Sequence, residues 1–198
     1  VGILTKTPSV IFYDTENASL SNLLTYPFCS LVVVPRCYQS WLPPWHLRYP
    51  GYHELSYLHP RHFQPSKKEA IKLGLDPSRK NFLIRTVSWQ ASHDLHEKKW
   101  TPELLLKIIR TLSALGKVII SSETPLNDAL AKHEYSGPPE QIHHLMGHVD
   151  LFIGESATMA SECAVMGVPA IYLAATGRGY TDEQQKKYRL VYNLKDFG

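Results

Sequence analysis

The sequence predicts an α/β fold in which parallel strands are joined by crossover helices. Short apolar, β-branched runs recur along the chain, and amphipathic stretches with helix start and stop signals lie between them. The 198 residues are 43% hydrophobic and 11% aromatic, which gives core material for one ordinary domain or two small ones.

The first strand is expected at 10–13 and the second at 31–34, with a helix starting near Ala18 between them. Residues 38–65 read differently. Pro43, Pro44, Pro50, Pro60 and Pro65 alternate there with Trp41, Trp45 and several tyrosines, and an irregular connector is expected. Its aromatic residues either form a stacking platform for a sugar or base, or pack the connector onto its neighbours. Ser66-Lys67-Lys68-Glu69 has the form of a capping box, and Gly74 supplies a left-handed stop. Further strands are expected at 82–87, 117–120, 151–153 and 170–173. Thr101 as N-cap and Pro102 at the first helical position open a helix whose Leu104, Leu105, Ile108, Ile109, Leu112 and Leu115 keep a 3.6-residue period up to Gly116. Pro138-Pro139 opens another helix that runs to Met146; two more are expected at 157–166 and 181–192. A domain boundary is placed near Phe63, giving units 1–63 and 64–198.

Composition excludes several classes. Lys plus Arg number 21 against 18 Asp plus Glu, a formal net charge of +3, too small for binding nucleic acid through charge alone. The same balance, with the apolar content, excludes disorder. The three cysteines, Cys29, Cys37 and Cys163, are odd in number and form no C-x-x-C pair, so neither a disulfide framework nor a zinc knuckle is expected and a cytoplasmic location fits. Apolar runs such as 31–34 fall far short of the ~18 residues a membrane span needs. Val1 stands where a Met is usual and a strand follows almost at once, so an upstream segment is expected.

Polar residues gather after the strands, at the end of a parallel sheet where ligands bind. Asp14-Thr15-Glu16-Asn17, Ser88-Trp89-Gln90-Ala91-Ser92-His93-Asp94, Ser121-Ser122-Glu123-Thr124, Gly154-Glu155-Ser156-Ala157-Thr158 and Gly177-Arg178-Gly179-Tyr180 lie there, whereas Asp76-Pro77-Ser78-Arg79 and Gly116 mark ordinary turns at the other end. In the 154–162 segment a strand feeds a helix through small residues. The first free amides, with the Ser156 and Thr158 hydroxyls, can hold a diphosphate. Glu162 is four residues from Thr158 on the same face, placed to accept from ribose hydroxyls. The plainer reading is a well-capped crossover helix with a solvated Glu.

The stretch from Glu155-Ser156-Ala157-Thr158-Met159 through Ser161-Glu162-Cys163 to Met166-Gly167-Val168-Pro169 resembles the phosphate and ribose motif in the C-terminal domain of UDP-N-acetylglucosamine 2-epimerase and related GT-B proteins. That resemblance places Ser156 on the phosphate and Glu162 on the ribose. Phe12-Tyr13-Asp14-Thr15-Glu16, Tyr52-His53-Glu54-Leu55-Ser56-Tyr57-Leu58-His59-Pro60, the 87–94 segment, Ile120-Ser121-Ser122-Glu123 and Ala157-Thr158-Met159 together resemble family 354 of the domains of unknown function, a family of GT-B glycosyltransferase-like proteins. The resemblance implies a GT-B-like fold: one Rossmann-like parallel-sheet domain at 64–198 and the remnant of a second at 1–63. It further implies a nucleotide sugar, most simply a UDP-sugar, as donor substrate, an unidentified acceptor, and no other cofactor. Ala157 and Thr158 stand where the epimerase-type motif has two glycines, so the backbone approaches a diphosphate less closely.

Candidate roles follow. Ser88, Ser122, Glu123, Ser156, Thr158, Glu162 and Arg178 are candidates for binding the nucleotide sugar, with Arg178 offsetting leaving-group charge unless it is a solvated hinge residue. His93 with Asp94 is a candidate general base, or else a local hydrogen-bond anchor. Asp14 and Glu16 are acid–base candidates facing the same cleft, or caps for the helix near Ala18. None of the ten histidines belongs to a complete ligand set, so no metal site is expected. Function is expected to be a GT-B-type glycosyltransferase; the alternatives are a 2-epimerase-like enzyme and a non-catalytic nucleotide-binding module. Two leading strands without further neighbours would leave open sheet edges, a route to a homodimer.

Overall fold

In a computed structural model, residues 5–87, 100–173 and 177–195 are described. Within them the apolar runs form two separate parallel sheets, a Rossmann-like α/β architecture. The first sheet has the order β1-β2-β3, with β1 at Val10–Phe12, β2 at Leu31–Pro35 and β3 at His46–Tyr49. The second contains β4 (Lys80–Thr86), β5 (Gly116–Ser122), β6 (Leu151–Gly154), β7 (Ala170–Leu173) and β8 (Val191–Leu194), in the order β5-β4-β6-β7-β8.

That second order reverses direction at β4. The chain goes from β4 outward to β5, then returns across β4 to β6 and continues through β7 and β8, which makes the β4/β6 pair the switch point of a doubly wound sheet. Register fixes which residues share a face. Leu83 lies beside Ile119 and Phe152, and their side pairs with Ala70, Leu145, Cys163 and Tyr172 in one core. Ile84 lies beside Ile120 and Ile153, and that side packs with Trp100, Leu105, Ile109 and Leu112 in another. Both faces are covered, as a buried parallel sheet requires.

Helices form where their caps predict. In α3 (Lys67–Lys72) the Ser66 hydroxyl accepts from the Glu69 amide at 3.4 Å, and Gly74 ends the turn with φ at 108°. In α4 (Pro102–Leu115) Thr101 caps the Leu104 amide at 3.2 Å. Around them lie α1 (Ser19–Thr25), α2 (Leu55–Leu58), α5 (Asp128–Ala131), α6 (Ile142–Met146), α7 (Ala157–Val165) and α8 (Gly179–Glu183). Pro138-Pro139 opens a single 3-10 turn that feeds α6 rather than one continuous helix.

Two strands correct the sequence reading. β3 lies inside the stretch expected to be irregular; its alternating polar residues and flanking prolines suit an edge strand, where missing amides are tolerated. β8 begins inside the stretch expected to be a helix at 181–192. There α8 gives way to a π-helical turn over Gln184–Tyr188, Arg189 turns left-handed at φ 56°, and Val191 is drawn fully into the core beside Ala170. In the first sheet Val32 and Val34 pack with Tyr26 and Tyr38, whereas the opposite face leaves Val10 at 53%, Phe12 at 65% and Leu47 at 51% exposed. Trp41 stacks on Tyr26 with ring centroids 6.1 Å apart, and Trp45 donates to the Tyr26 carbonyl, so these two aromatics are packed on the first unit.

Candidate functional site

Chemistry-bearing side chains collect in two places: the rim at the carboxyl ends of β5, β4 and β6, and the seam where the two sheets meet. On the rim, Ser156 caps α7, its hydroxyl accepting from the Met159 amide at 3.3 Å. Thr158 is exposed in the first turn of that helix. Ser122 accepts from the Thr86 hydroxyl at 3.1 Å and the Thr124 amide at 3.3 Å. Glu123 is paired with Arg85 at 2.9 Å, and Arg85 also donates to Ser121. Because β4 alone separates β5 from β6, the Ser122 and Ser156 turns lie about 10 Å apart at ordinary strand spacing. Glu155, which the sequence reading passed over, accepts from the Val87 amide at 3.3 Å and the Trp100 amide at 3.4 Å, so it ties β4 to the start of α4.

Glu162 occupies a different environment from that rim. It is 6% exposed, and its Oε1 accepts from the Tyr57 hydroxyl at 2.8 Å and meets His143 Nε2 at 2.9 Å. The same helix face that carries Thr158 therefore dips into the seam one turn later. Next to it Ser161 is fully buried, accepting from Gln184 Nε2 at 2.8 Å. Glu54 is 2% exposed, and burial raises its carboxyl above the ordinary range, helped by the charges of Asp14 and Glu162.

Asp14 and Glu16 face this seam from the first sheet. His53 Nδ1 sits 3.0 Å from Asp14 Oδ2, and the Thr15 hydroxyl donates to Oδ1. Burial acts to raise the Asp14 carboxyl, but the His53 bond and charge outweigh it and hold it below its usual value. The same bond raises the His53 imidazole against the effect of burial. Gly51, at φ 112°, turns the chain out of β3 so that Tyr52, His53 and Glu54 head α2 toward the seam. Glu16 accepts from two backbone amides, Gln39 and Gly179, the latter at 2.7 Å. Neither carboxylate caps α1, whose N-cap Ala18 has no side-chain bond, so the capping alternative does not hold. Arg178 precedes Gly179 at the start of α8, and its Nη1 donates to the Gly177 carbonyl at 3.2 Å. Tyr52 closes the seam further by donating to Glu183 at 2.8 Å.

Of the residues singled out from sequence, Ser122, Glu123, Ser156 and Thr158 thus share the rim, while Asp14, Glu16, Glu162 and Arg178 belong to the seam. Ser88, His93 and Asp94 lie outside the described residues. The reading missed His53, Glu54, Ser161 and His143 as seam residues. His53 and Glu54 stood in a conspicuous Tyr-His-Glu run, but no spacing rule ties that run to Asp14. Among the described residues no group of three or more His, Cys, Asp or Glu side chains is arranged to hold a metal, and no helix is long and apolar enough to cross a membrane. No family model matches the chain, and no curated protein matches it in sequence.

Proposed function

We propose that the chain is the nucleotide-sugar-binding part of a GT-B-type glycosyltransferase, with a UDP-sugar held by residues 64–198 and residues 1–63 forming part of the opposing wall. One observation carries the reading: the five-stranded parallel sheet reverses its order at β4/β6, and the Glu155-Ser156 turn and the N-terminus of α7 stand at that switch point. A nine-residue helix whose first amides open beside exposed Thr158 favours an anion there. The sugar would extend from the rim toward the seam, where carboxylates and imidazoles suited to proton transfer are held. The acceptor is a second, separate substrate. A cytoplasmic location is part of the proposal, resting on three cysteines that are all free.

Thr158→Glu tests the donor site. A carboxylate in the first turn suits the helix dipole, so the fold is expected to keep its stability. The same charge repels a diphosphate: one unit pair at about 4 Å is worth about 1 kcal/mol in water and about 4 kcal/mol at protein-surface dielectric. Calorimetry with UDP and UDP-N-acetylglucosamine is expected to show affinity lost by about fivefold to about a thousandfold. Equal UDP affinity in wild type and variant, or no UDP binding by the wild type, refutes the site.

A further inference from the structure

The seam contains a side-chain pair, His53 with Asp14, that a donor site at the rim leaves unused. His53 presents Nδ1 to Asp14 Oδ2 at 3.0 Å. An ionised carboxylate only accepts, so the proton in that bond belongs to Nδ1, and in the neutral ring Nε2 carries the bare lone pair. Asp14 is held in turn by the Thr15 hydroxyl, 3.2 Å from Oδ1. Tyr49 lies nearly parallel to the imidazole, ring centroids 5.8 Å apart and planes 13° off. These contacts set the position, plane and tautomer of the ring.

What they leave over is Nε2, which is shielded and has no hydrogen-bond partner among the described residues. Native proteins keep few such atoms, and each asks for a reason. The same stretch of chain contributes two more, Tyr49 Oη and Glu54 Oε2, the second on a side chain only 2% exposed. A neutral imidazole Nε2 can only accept, so a group that completes it must donate. Hydroxyl groups do so, and the surrounding Asp14 and Glu54 charges exclude an anion.

The geometry points to His53 as the acid–base residue of this chain, with Asp14 as its positioning residue and a neutral, hydroxyl-bearing acceptor as the proton donor. This gives His53 the role first expected of His93. That the hydroxyl is the acceptor of a sugar rests on the transferase reading of the preceding section; the protonation geometry of the pair does not. In the transfer, the acceptor oxygen forms a bond to the anomeric carbon. The bond from that carbon to the diphosphate oxygen breaks, and its electron pair leaves with the nucleoside diphosphate. The hydroxyl proton passes to Nε2, giving an imidazolium held against Asp14.

His53→Asn separates a catalytic from a structural role. Asparagine carries its amide nitrogen close to the place of Nδ1, so the bond to Asp14 survives while Nε2 is lost. With the full chain, UDP-N-acetylglucosamine as donor and water as acceptor, His53→Asn is expected to bind UDP like wild type and to release UDP about 100- to 10,000-fold more slowly. Added imidazole is expected to restore part of the rate in His53→Ala. In Asp14→Asn the acid limb of the kcat/KM profile should move to lower pH. A wild type that binds UDP but releases it no faster than His53→Asn overturns the assignment and leaves the donor site standing. A wild type that binds no UDP overturns the transferase reading, and the pair is then decided by nitrogen-15 NMR. His53 protonated on Nδ1 with Nε2 bare supports it, and the opposite tautomer overturns it.

Discussion

Gly179 packs against the backbone of Cys37 and the carboxylate of Glu16, and Gly179→Ala measures what that close approach contributes. A methyl group there would lie 2.3 Å from the Cys37 carbonyl oxygen and 2.5 Å from Glu16 Oε1, where ordinary contact needs well over 3 Å. Gly179 is buried at the start of α8, and its amide donates to Glu16 at 2.7 Å, so the backbone cannot withdraw without stretching that bond. Relieving an overpacked contact costs about 1 to 3 kcal/mol. Losing a hydrogen bond to a carboxylate costs about 1.5 to 3 kcal/mol more. Together these remove about 2.5 to 6 kcal/mol, a large share of the stability of an ordinary domain. For a chain of this size the melting temperature should fall by about 5 to 20 °C. Gly167→Ala is the comparison: a methyl there meets nothing, and only its φ of 84° opposes the change, at about 1 to 2 kcal/mol. Urea unfolding of both variants checks the order. A Gly179→Ala protein within about 1 kcal/mol of wild type, or more stable than Gly167→Ala, refutes the close-contact argument.

Acidity and association are also predicted to respond. Burial raises the folded-state value of Glu54 above its unfolded value, so the folded protein binds that proton more tightly. Stability from this group is therefore gained as pH falls through the raised value, and Glu54→Gln should be more stable than wild type at pH 7 and lack that gain in unfolding measured from pH 8 to pH 5. The Asp14–His53 pair differs: His53 is raised and Asp14 lowered, so its contribution is full between about pH 4 and 6.5 and is lost at both ends, and Asp14→Asn should remove that plateau. Phe12, exposed between Val10 and Leu47 on an apolar sheet face, predicts concentration-dependent association in sedimentation velocity. Phe12→Lys is expected to shift the protein to monomer; an unchanged profile places the association elsewhere.

Strands β4 to β7 were legible in the sequence because their signals are local. Each holds a short apolar run, and Ser66, Thr101 and Pro102 announce helix starts through contacts made within three residues. β3 and β8 were not legible for the same reason. His46 to Tyr49 become a strand only because β2 offers an edge, and Val191 leaves a helix-favouring run only because Ala170 offers a partner. The rim was legible as a row of polar loops after strands. The seam was not: Glu162 reads from helical spacing as a rim carboxylate, and only the tertiary fold brings Tyr57 and His143 to it.

The two halves of the candidate site differ in charge, and that difference constrains any donor. The seam gathers Asp14, Glu16, Glu54, Glu162 and Glu183, together with the imidazoles of His53 and His143 and the guanidinium of Arg178. Its carboxylates accept from tyrosines, imidazoles and backbone amides, so most of their field is spent on joining the units. A diphosphate placed among them would meet like charges at short range in a shielded setting, where each pair is worth several times its value in water. At the start of α7 the proposed diphosphate would instead meet helix amides, the Ser156 and Thr158 hydroxyls and the positive end of the dipole. Under the proposed function, an extended nucleotide sugar would therefore lie with its phosphates on the rim and its neutral sugar toward the seam. Under the same proposal, the acidic seam, which would be a liability for a nucleotide alone, would suit a hydroxyl that must give up a proton.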